Sequence, residues 1–381
     1  MSKSFHIIAF DVPYPPNYGG IVDVFYKLKY LHQQGGKIIY HCFYYDGHNP
    51  PTTELEKYCV TIYYYKRKKH IGKIILNKLP YVIASRNNKE LLTNLCKDNN
   101  PILFDGLQCC YFLNHPKLNQ RKKIVRANNI EHSYYFGLAK WEKNKIKKAY
   151  LNWEGKKLQK FETQLKDVDA ILSVAKMDIP HFKQYAKTHH VPPFFNHTTR
   201  NWDGDLFPDK HFCLFQGNLS VTENEEAVHF ILDEIAPICD VSITIAGKNP
   251  SQHLIQKTNS ISNVTLIPNP SQIVMEELIE HAQINLLFTF QQTGIKLKLL
   301  HAIESGNHII INSKMDDSGI FESMCTVADQ PKEIVTQIKD LMKIQYTKQM
   351  FDQRYTKFST YYNNVKNADY ILGLIGDLAS I

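Results

Sequence analysis

The sequence predicts an α/β protein built from two doubly wound domains, each a parallel sheet flanked by helices. Three observations carry that prediction. The chain has 381 residues, and single hydrophobic cores stop growing near roughly 250–300 residues. Short branched and aromatic runs alternate with stretches of helical periodicity along the chain, which is the pattern of strand–helix–strand winding. The alternation is interrupted once, at HHVPPFFNHTTRNWDGDLFPDKH from His189 to His211, a stretch rich in Pro, Asn and Asp. The expected layout is a first domain over residues 1–190, a linker over 191–209, a second domain over 210–354 and a terminal helix over 355–381.

The net charge is +8, from 45 basic and 37 acidic residues, so the surface suits phosphates, anionic lipid or nucleic acid. A generally lysine-rich surface gives the same number. The eight cysteines include no CxxC pair, which is neither a zinc pattern nor a disulfide framework and points to a reducing compartment. The N-terminus MSKSFHIIAFDVPYPP shows no cleavage pattern of a secretory signal, and no apolar run approaches the length of a bilayer span,. A cytoplasmic protein is expected.

FHIIAFDV (Phe5–Val12) reads as a first buried strand. The prolines and Gly19-Gly20 after it make a loop,. Ile21, Val24, Phe25, Leu28 and Leu31 then mark a helix that closes at Gly35-Gly36 before the strand KIIYHCFYY. This βαβ unit places a ligand crevice at the carboxyl end of its first strand. VTIYYYKRKK (Val60–Lys69) is a third strand. Its tyrosine and lysine cluster suits a membrane interface or single-stranded nucleic acid, although a solvated strand end is the commoner arrangement. A helix over Arg86–Cys96 follows, then the strand PILFDGL and the strand and loop KKIVRANNIEHSYY. Lys140–Lys166 reads as one long charged helix, AILSVAK as a strand and Asp178–Lys187 as a helix. Beyond the linker, FQGNLS gives a strand and a turn at Gly217-Asn218, with a helix from Glu223 or Asn224 through Ile235. VSITIAG, VTLIPN, INLLFTF and HIII are further strands, and Met350–Ile381 is helical.

Between INLLFTF and HIII lies QQTGIKLKLLHAIESG (Gln291–Gly306). It reads as a glycine turn at Gly294 and a helix with Ile295, Leu299, Ala302 and Ile303 on one face, stopped by Gly306,. Backbone N–H groups at the start of that helix lie beside Lys296 and Lys298. Such an arrangement holds a phosphate group. Lys248, in IAGKNP after a buried strand, is a third cation of the same kind. Each lysine alone is more simply a solvated side chain; their coincidence with strand-end turns is the signal.

The GIKLKLLHAIESG segment resembles the donor-nucleotide segment of GT-B glycosyltransferases of the glycosyltransferase-4 type. The opening P-P-x-x-GG, its helix and QQGGK resemble the start of the same proteins, and FQGNLS-x-x-x-N resembles one subgroup. Arg126, Asn129, Glu131, Tyr134 and Tyr135 match a pattern of related bacterial enzymes, with Asn128 where that pattern has His, and Glu154 and Glu162 fit the family's E-x-x-x-L-x-x-x-E run as architectural residues. The resemblance implies two Rossmann-like domains facing across a cleft, with the terminal helix crossing back to the first. It implies transfer of a sugar from a nucleotide-diphosphate-sugar to a glycan or lipid-linked acceptor in cell-surface polysaccharide assembly. No metal, cofactor or nucleic acid is expected; retention of configuration and a peripheral contact at the inner face of the membrane are.

Donor contacts are expected from Gly19, Gly20, Gly217, Asn218, Lys248, Thr293, Gly294, Ile295, Lys296, Lys298 and His301. Lys298, His132 and Glu131 are the candidate catalytic residues. Asp11 and Asp105 also fall at strand ends where a base sits, and the residues alone do not choose among them. Arg126 is expected either to face the sugar or to pair with Glu131. Thr293 and His301 stand where the family has two glutamates, and neutral groups there give weaker hydrogen bonds than carboxylates. Two alternatives therefore stand beside transfer: a binding subunit without catalysis, and a sugar-nucleotide epimerase.

Overall fold

The computed structural model describes residues 4–16, 19–68, 78–142, 144–197, 200, 211–290, 296–316 and 319–377. Thr293, Gly294 and Ile295, and most of the expected linker, lie outside the described residues. The chain divides into two units: the described residues up to Asn196 and from Tyr362 onward form one, and those from His197 to Tyr361 the other.

In the first unit, β1 (Ser4–Ala9), β2 (Lys37–Tyr44), β3 (Thr61–Lys66), β4 (Ile102–Asp105), β5 (Lys123–Ala127), β6 (Ala170–Ser173) and β7 (Thr188–His190) make one parallel sheet. Their order is β3-β2-β1-β4-β5-β6-β7. Strand residues alternate between two apolar layers, as the two-residue period of a strand requires. Ile8 and Phe104 pack into one layer, and Ile7, Ala9 and Leu103 into the other. The helix Gly19–Gln33 buries Ile21, Val24, Phe25, Leu28 and Leu31, and the second layer also holds Ala368, Ile371 and Ile375 of the helix Asn364–Asp377.

The second unit repeats the plan. β8 (Cys213–Asn218), β9 (Ile243–Lys248), β10 (Val264–Pro268), β11 (Ile284–Leu287), β12 (His308–Ile311) and β13 (Thr326–Val327) pair in parallel in the order β10-β9-β8-β11-β12-β13. Each sheet reverses its winding once, between β1 and β4 and between β8 and β11. Ligands of doubly wound sheets bind at the carboxyl ends of the strands flanking that reversal.

Several elements depart from the sequence reading. Val191, Phe194 and Phe195 are fully or almost fully buried in the first unit, so the linker's expected start is core, and the division falls at Asn196. The helix Lys348–Tyr361 belongs to the second unit, so the chain returns to the first at Tyr362 rather than Tyr355. The long charged helix is two helices, Glu131–Trp141 and Lys145–Glu162. Asn144 starts the second by accepting hydrogen bonds from the amides of Ile146 and Lys147, which is N-capping. Glu131 and His132 thus begin a helix rather than lie in a loop. Residues 131–138 are almost all half-buried, so no apolar stripe announces that helix. Likewise Arg86–Cys96 contains only the helix Lys89–Leu95, started by the side chain of Asn88.

Candidate functional site

The carboxyl ends of β8 and β11 gather two of the lysines singled out from the sequence, Lys296 and Lys298. The helix Leu297–Ser305 starts directly after Lys296, with no side-chain cap on its first amides. It buries Leu299, Leu300, Ala302 and Ile303 and is closed at Gly306. That burial fixes the direction of Lys298, whose ammonium donates to the Asn224 side-chain oxygen at 2.9 Å and the Phe288 carbonyl at 3.3 Å. It also lies 5.1 Å from the centre of the Phe215 ring. Lys296 donates to Glu223 Oε1 at 3.0 Å and lies 3.3 Å from the Thr289 hydroxyl. Thr289 in turn donates to Glu223 and is held through its backbone by Asn312.

Glu223 and Asn224 occupy the first turn of the helix Thr222–Phe230, which follows β8. One acid and one amide therefore position two cations. Burial lowers the Lys298 pKa to about 8; the Glu223 charge raises it against that effect and Lys296 lowers it further. Burial pushes the Glu223 carboxyl up, but the Lys296 charge and the Thr289 and Lys296 hydrogen bonds outweigh it and hold the group below the usual range. Glu223 was not among the residues chosen from the sequence. Its only sequence signal is its place at a helix start just after the Gly217-Asn218 turn.

Gly217 is paired in register with Gly247 on β9. A Cβ on Gly247 would stand 1.9 Å from the Gly217 carbonyl oxygen, so the strands approach this end only because a side chain is missing there. Asn218 is exposed, and its side chain accepts from the amide and hydroxyl of Ser220. Lys248 is exposed at the end of β9, opposite Asn218 in register. His301 is exposed on the helix.

In the first unit the candidates separate. Gly19 and Gly20 open the helix after β1. Arg126 neither faces a ligand nor pairs with Glu131: it is fully buried and grips Asp23 with two hydrogen bonds of 2.8 and 2.7 Å. Lys27 bridges Asp23 and Asp105 at 2.9 Å each. Asp105, at the end of β4, is committed to this network. Asp11 accepts from the Val12 amide and lies 2.6 Å from His48 Nδ1. Glu131 has its carboxyl pushed up to about 7 by burial and then by the Glu162 charge. His132 Nδ1 lies 2.9 Å from both oxygens of Glu162.

Residues 210–343 match the family model described as "Glycosyl transferases group 1". Solved structures with a similar fold include sucrose-phosphate synthase from Thermosynechococcus elongatus, with a TM-score of 0.72 at 12% identity over 99% of both chains. Another is Anabaena HepE in complex with UDP and glucose, with a TM-score of 0.66 at 11% identity over 100% of both chains. Residues 210–343 thus match a group 1 glycosyltransferase domain, and the chain has the fold of GT-B glycosyltransferase structures, with two Rossmann-like domains. Its sequence is 26% identical to an uncharacterized 44.6 kDa protein in the cps region of Klebsiella pneumoniae, over 81% of this chain and 82% of that one. Among the described residues, no helix is long and apolar enough to cross a membrane.

Proposed function

We propose that the protein transfers a sugar from a nucleotide-diphosphate-sugar to a glycan or lipid-linked acceptor in cell-surface polysaccharide assembly, at the cytoplasmic face of the membrane. One observation carries this reading: Lys296 and Lys298 converge on Glu223 and Asn224 where the second sheet reverses its winding. A departing nucleoside diphosphate gains negative charge as the glycosidic bond breaks. Positioned ammonium groups stabilise that charge without reorganising during the step. Two lysines supply the charge that a metal ion supplies in other transferases, so the reading is a metal-independent one. Glu131 is the carboxyl of the first unit assigned to the acceptor side. With retention of configuration, the acceptor hydroxyl needs no separate strong base. UDP, which the Anabaena neighbour holds, is the first nucleotide to test.

A panel of nucleotide-sugars tests the reading by two measurements, melting temperature and release of nucleoside diphosphate. A raised melting temperature together with release of nucleoside diphosphate supports transfer. Stabilisation without release supports the binding subunit, a second reading favoured by the Glu223 carboxylate, which already neutralises Lys296. Conversion of the donor without acceptor supports an epimerase. No stabilisation by any nucleotide overturns the assignment of the site.

A further inference from the structure

We propose that His132, Glu162 and His181 form a binding site for a zinc-class divalent ion within the first unit. The three residues come from three elements: the first turn of the helix Glu131–Trp141, the last residue of the helix Lys145–Glu162, and the short helix Ile179–Lys183. Their ligand atoms all lie within 4.8 Å of one another. His132 Nδ1 is 2.9 Å from each Glu162 oxygen, and His181 Nε2 is 2.9 Å from Glu162 Oε2.

Two imidazoles and a carboxylate are a donor set for Zn(II) and similar borderline ions, not for Mg(II) or Ca(II), which take oxygen ligands. Ligands of a tetrahedral zinc ion stand about 3.3 Å apart, given metal–ligand bonds of about 2.0–2.1 Å. The nitrogen–oxygen spacings of 2.9 Å therefore need to open by only a few tenths of an ångström, while the widest separation in the set, bounded at 4.8 Å, closes toward the same value.

The surroundings fit the same role. Glu162 is 1% exposed, His132 11% and His181 21%, so the carboxylate is buried and one edge of the group reaches solvent. Phe136 stands edge-on to His132, and Phe182 and Tyr185 edge-on to His181. These rings keep the site largely dry. Gln184 donates to the His181 backbone carbonyl and places its amide 3.4 Å from His181 Nδ1. An outer partner on the second ring nitrogen is what orients a metal-bound histidine. With an ion bound, His181 carries its proton on Nδ1, and the Gln184 amide turns its oxygen to accept it. His132 carries its own proton on Nε2. The ion would tie together three elements that already meet through hydrogen bonds to the Glu162 carboxylate. This inference goes beyond the transfer reading and does not depend on it.

The test uses the full chain after exhaustive chelation, titrated with Zn(II) against a chromophoric chelator and, separately, with Co(II), whose visible absorption reports tetrahedral coordination. The expected result is one equivalent of tight Zn(II), a tetrahedral Co(II) spectrum and a raised melting temperature, with no response to Mg(II). His181→Ala and the near-isosteric Glu162→Gln are each expected to weaken Zn(II) binding by on the order of 100-fold or more. Because Glu162→Gln buries an altered group, His181→Ala at the more exposed position is the deciding variant. No uptake by the wild type overturns the proposal. So does uptake unchanged in His181→Ala, which would assign the ion to others of the 17 histidines, and so does an equal response to Mg(II).

Discussion

The two sheets reverse their winding in the same way, yet the charged groups beside the two reversals are used in opposite ways. Beside β1 and β4, Asp23, Lys27, Arg126 and Asp105 close on one another with every side chain fully buried. Arg126 also donates to the carbonyls of Val191 and Pro192, and Asp23 also accepts from the Phe194 amide. Beside β8 and β11, Lys298 donates among the described residues to two neutral oxygens, and Lys296 meets a carboxylate that is 21% exposed. A closed network of two acids and two bases holds the first unit together and offers nothing to a ligand. Among the described residues the two cations share one carboxylate, an arrangement that an anion can join. Topology places the crevice; the balance of charge within it decides whether it is structure or site.

The largest expected effect breaks the closed side of that comparison. Asp23→Asn leaves Arg126 and Lys27 short of a buried counter-charge, and removing one partner of a buried pair costs about 3–5 kcal/mol. Chemical denaturation should show that loss. Arg126 and Lys27 hold the Asp23 carboxyl well below its usual range in spite of burial. Its stabilisation is therefore complete above pH about 4 and drains away as pH falls toward the folded-state value, and the variant should lack that acid limb.

Next in size is Lys298→Ala, tested on the open side. A charge-assisted contact to phosphate is worth about 1.5–3 kcal/mol, so calorimetry should show nucleoside diphosphate binding weakened by roughly 10- to 150-fold. Binding of the free nucleoside should be almost unchanged; equal losses for both would remove the phosphate role.

The pH dependence of that binding sharpens the same point. Lys298 titrates at about 8 in the free protein, and a bound diphosphate raises it. Affinity should therefore be flat below pH 8 and fall by up to about tenfold per pH unit above it. Lys298→Arg, whose guanidinium stays charged, should flatten the profile. A profile equally steep in both proteins would assign the titration to another group.

The smallest effect belongs to His301→Glu. The position is exposed, and such surface changes stay within about 0.5 kcal/mol, so the melting temperature should hardly move. A large loss of stability would show a packed histidine instead.

The strand–helix–strand stretch around Lys296 was legible because its signals are local. INLL and HIII are short apolar runs in the sequence and buried strands in the fold, and Gly306 ends the helix where it was expected to. The two lysines could be named because they follow directly from that helix start. Their partners could not: Glu223 and Asn224 lie more than seventy positions away, and nothing in either segment announces the other. Arg126 shows the same limit more sharply. The nearby Glu131 was the obvious partner in the sequence, whereas the actual one is Asp23, 103 positions away. The residues Val191–Phe195 look like linker because prolines break their periodicity, yet two of their aromatic rings are fully buried.

By itself the sequence determined two wound sheets, the order of nearly all their elements and the lysine-bearing helix start. Each of these follows from periodicity, chain-breaking residues and burial of one face, which act over a few positions. Only the tertiary structure decided which charges neutralise one another, and therefore that Arg126 is a buried brace while Lys298 keeps a lowered pKa beside neutral oxygens. It also brought His132, Glu162 and His181 from three helices to one point. Ion pairing depends on distance and burial in the folded chain, and separation along the sequence carries no information about either.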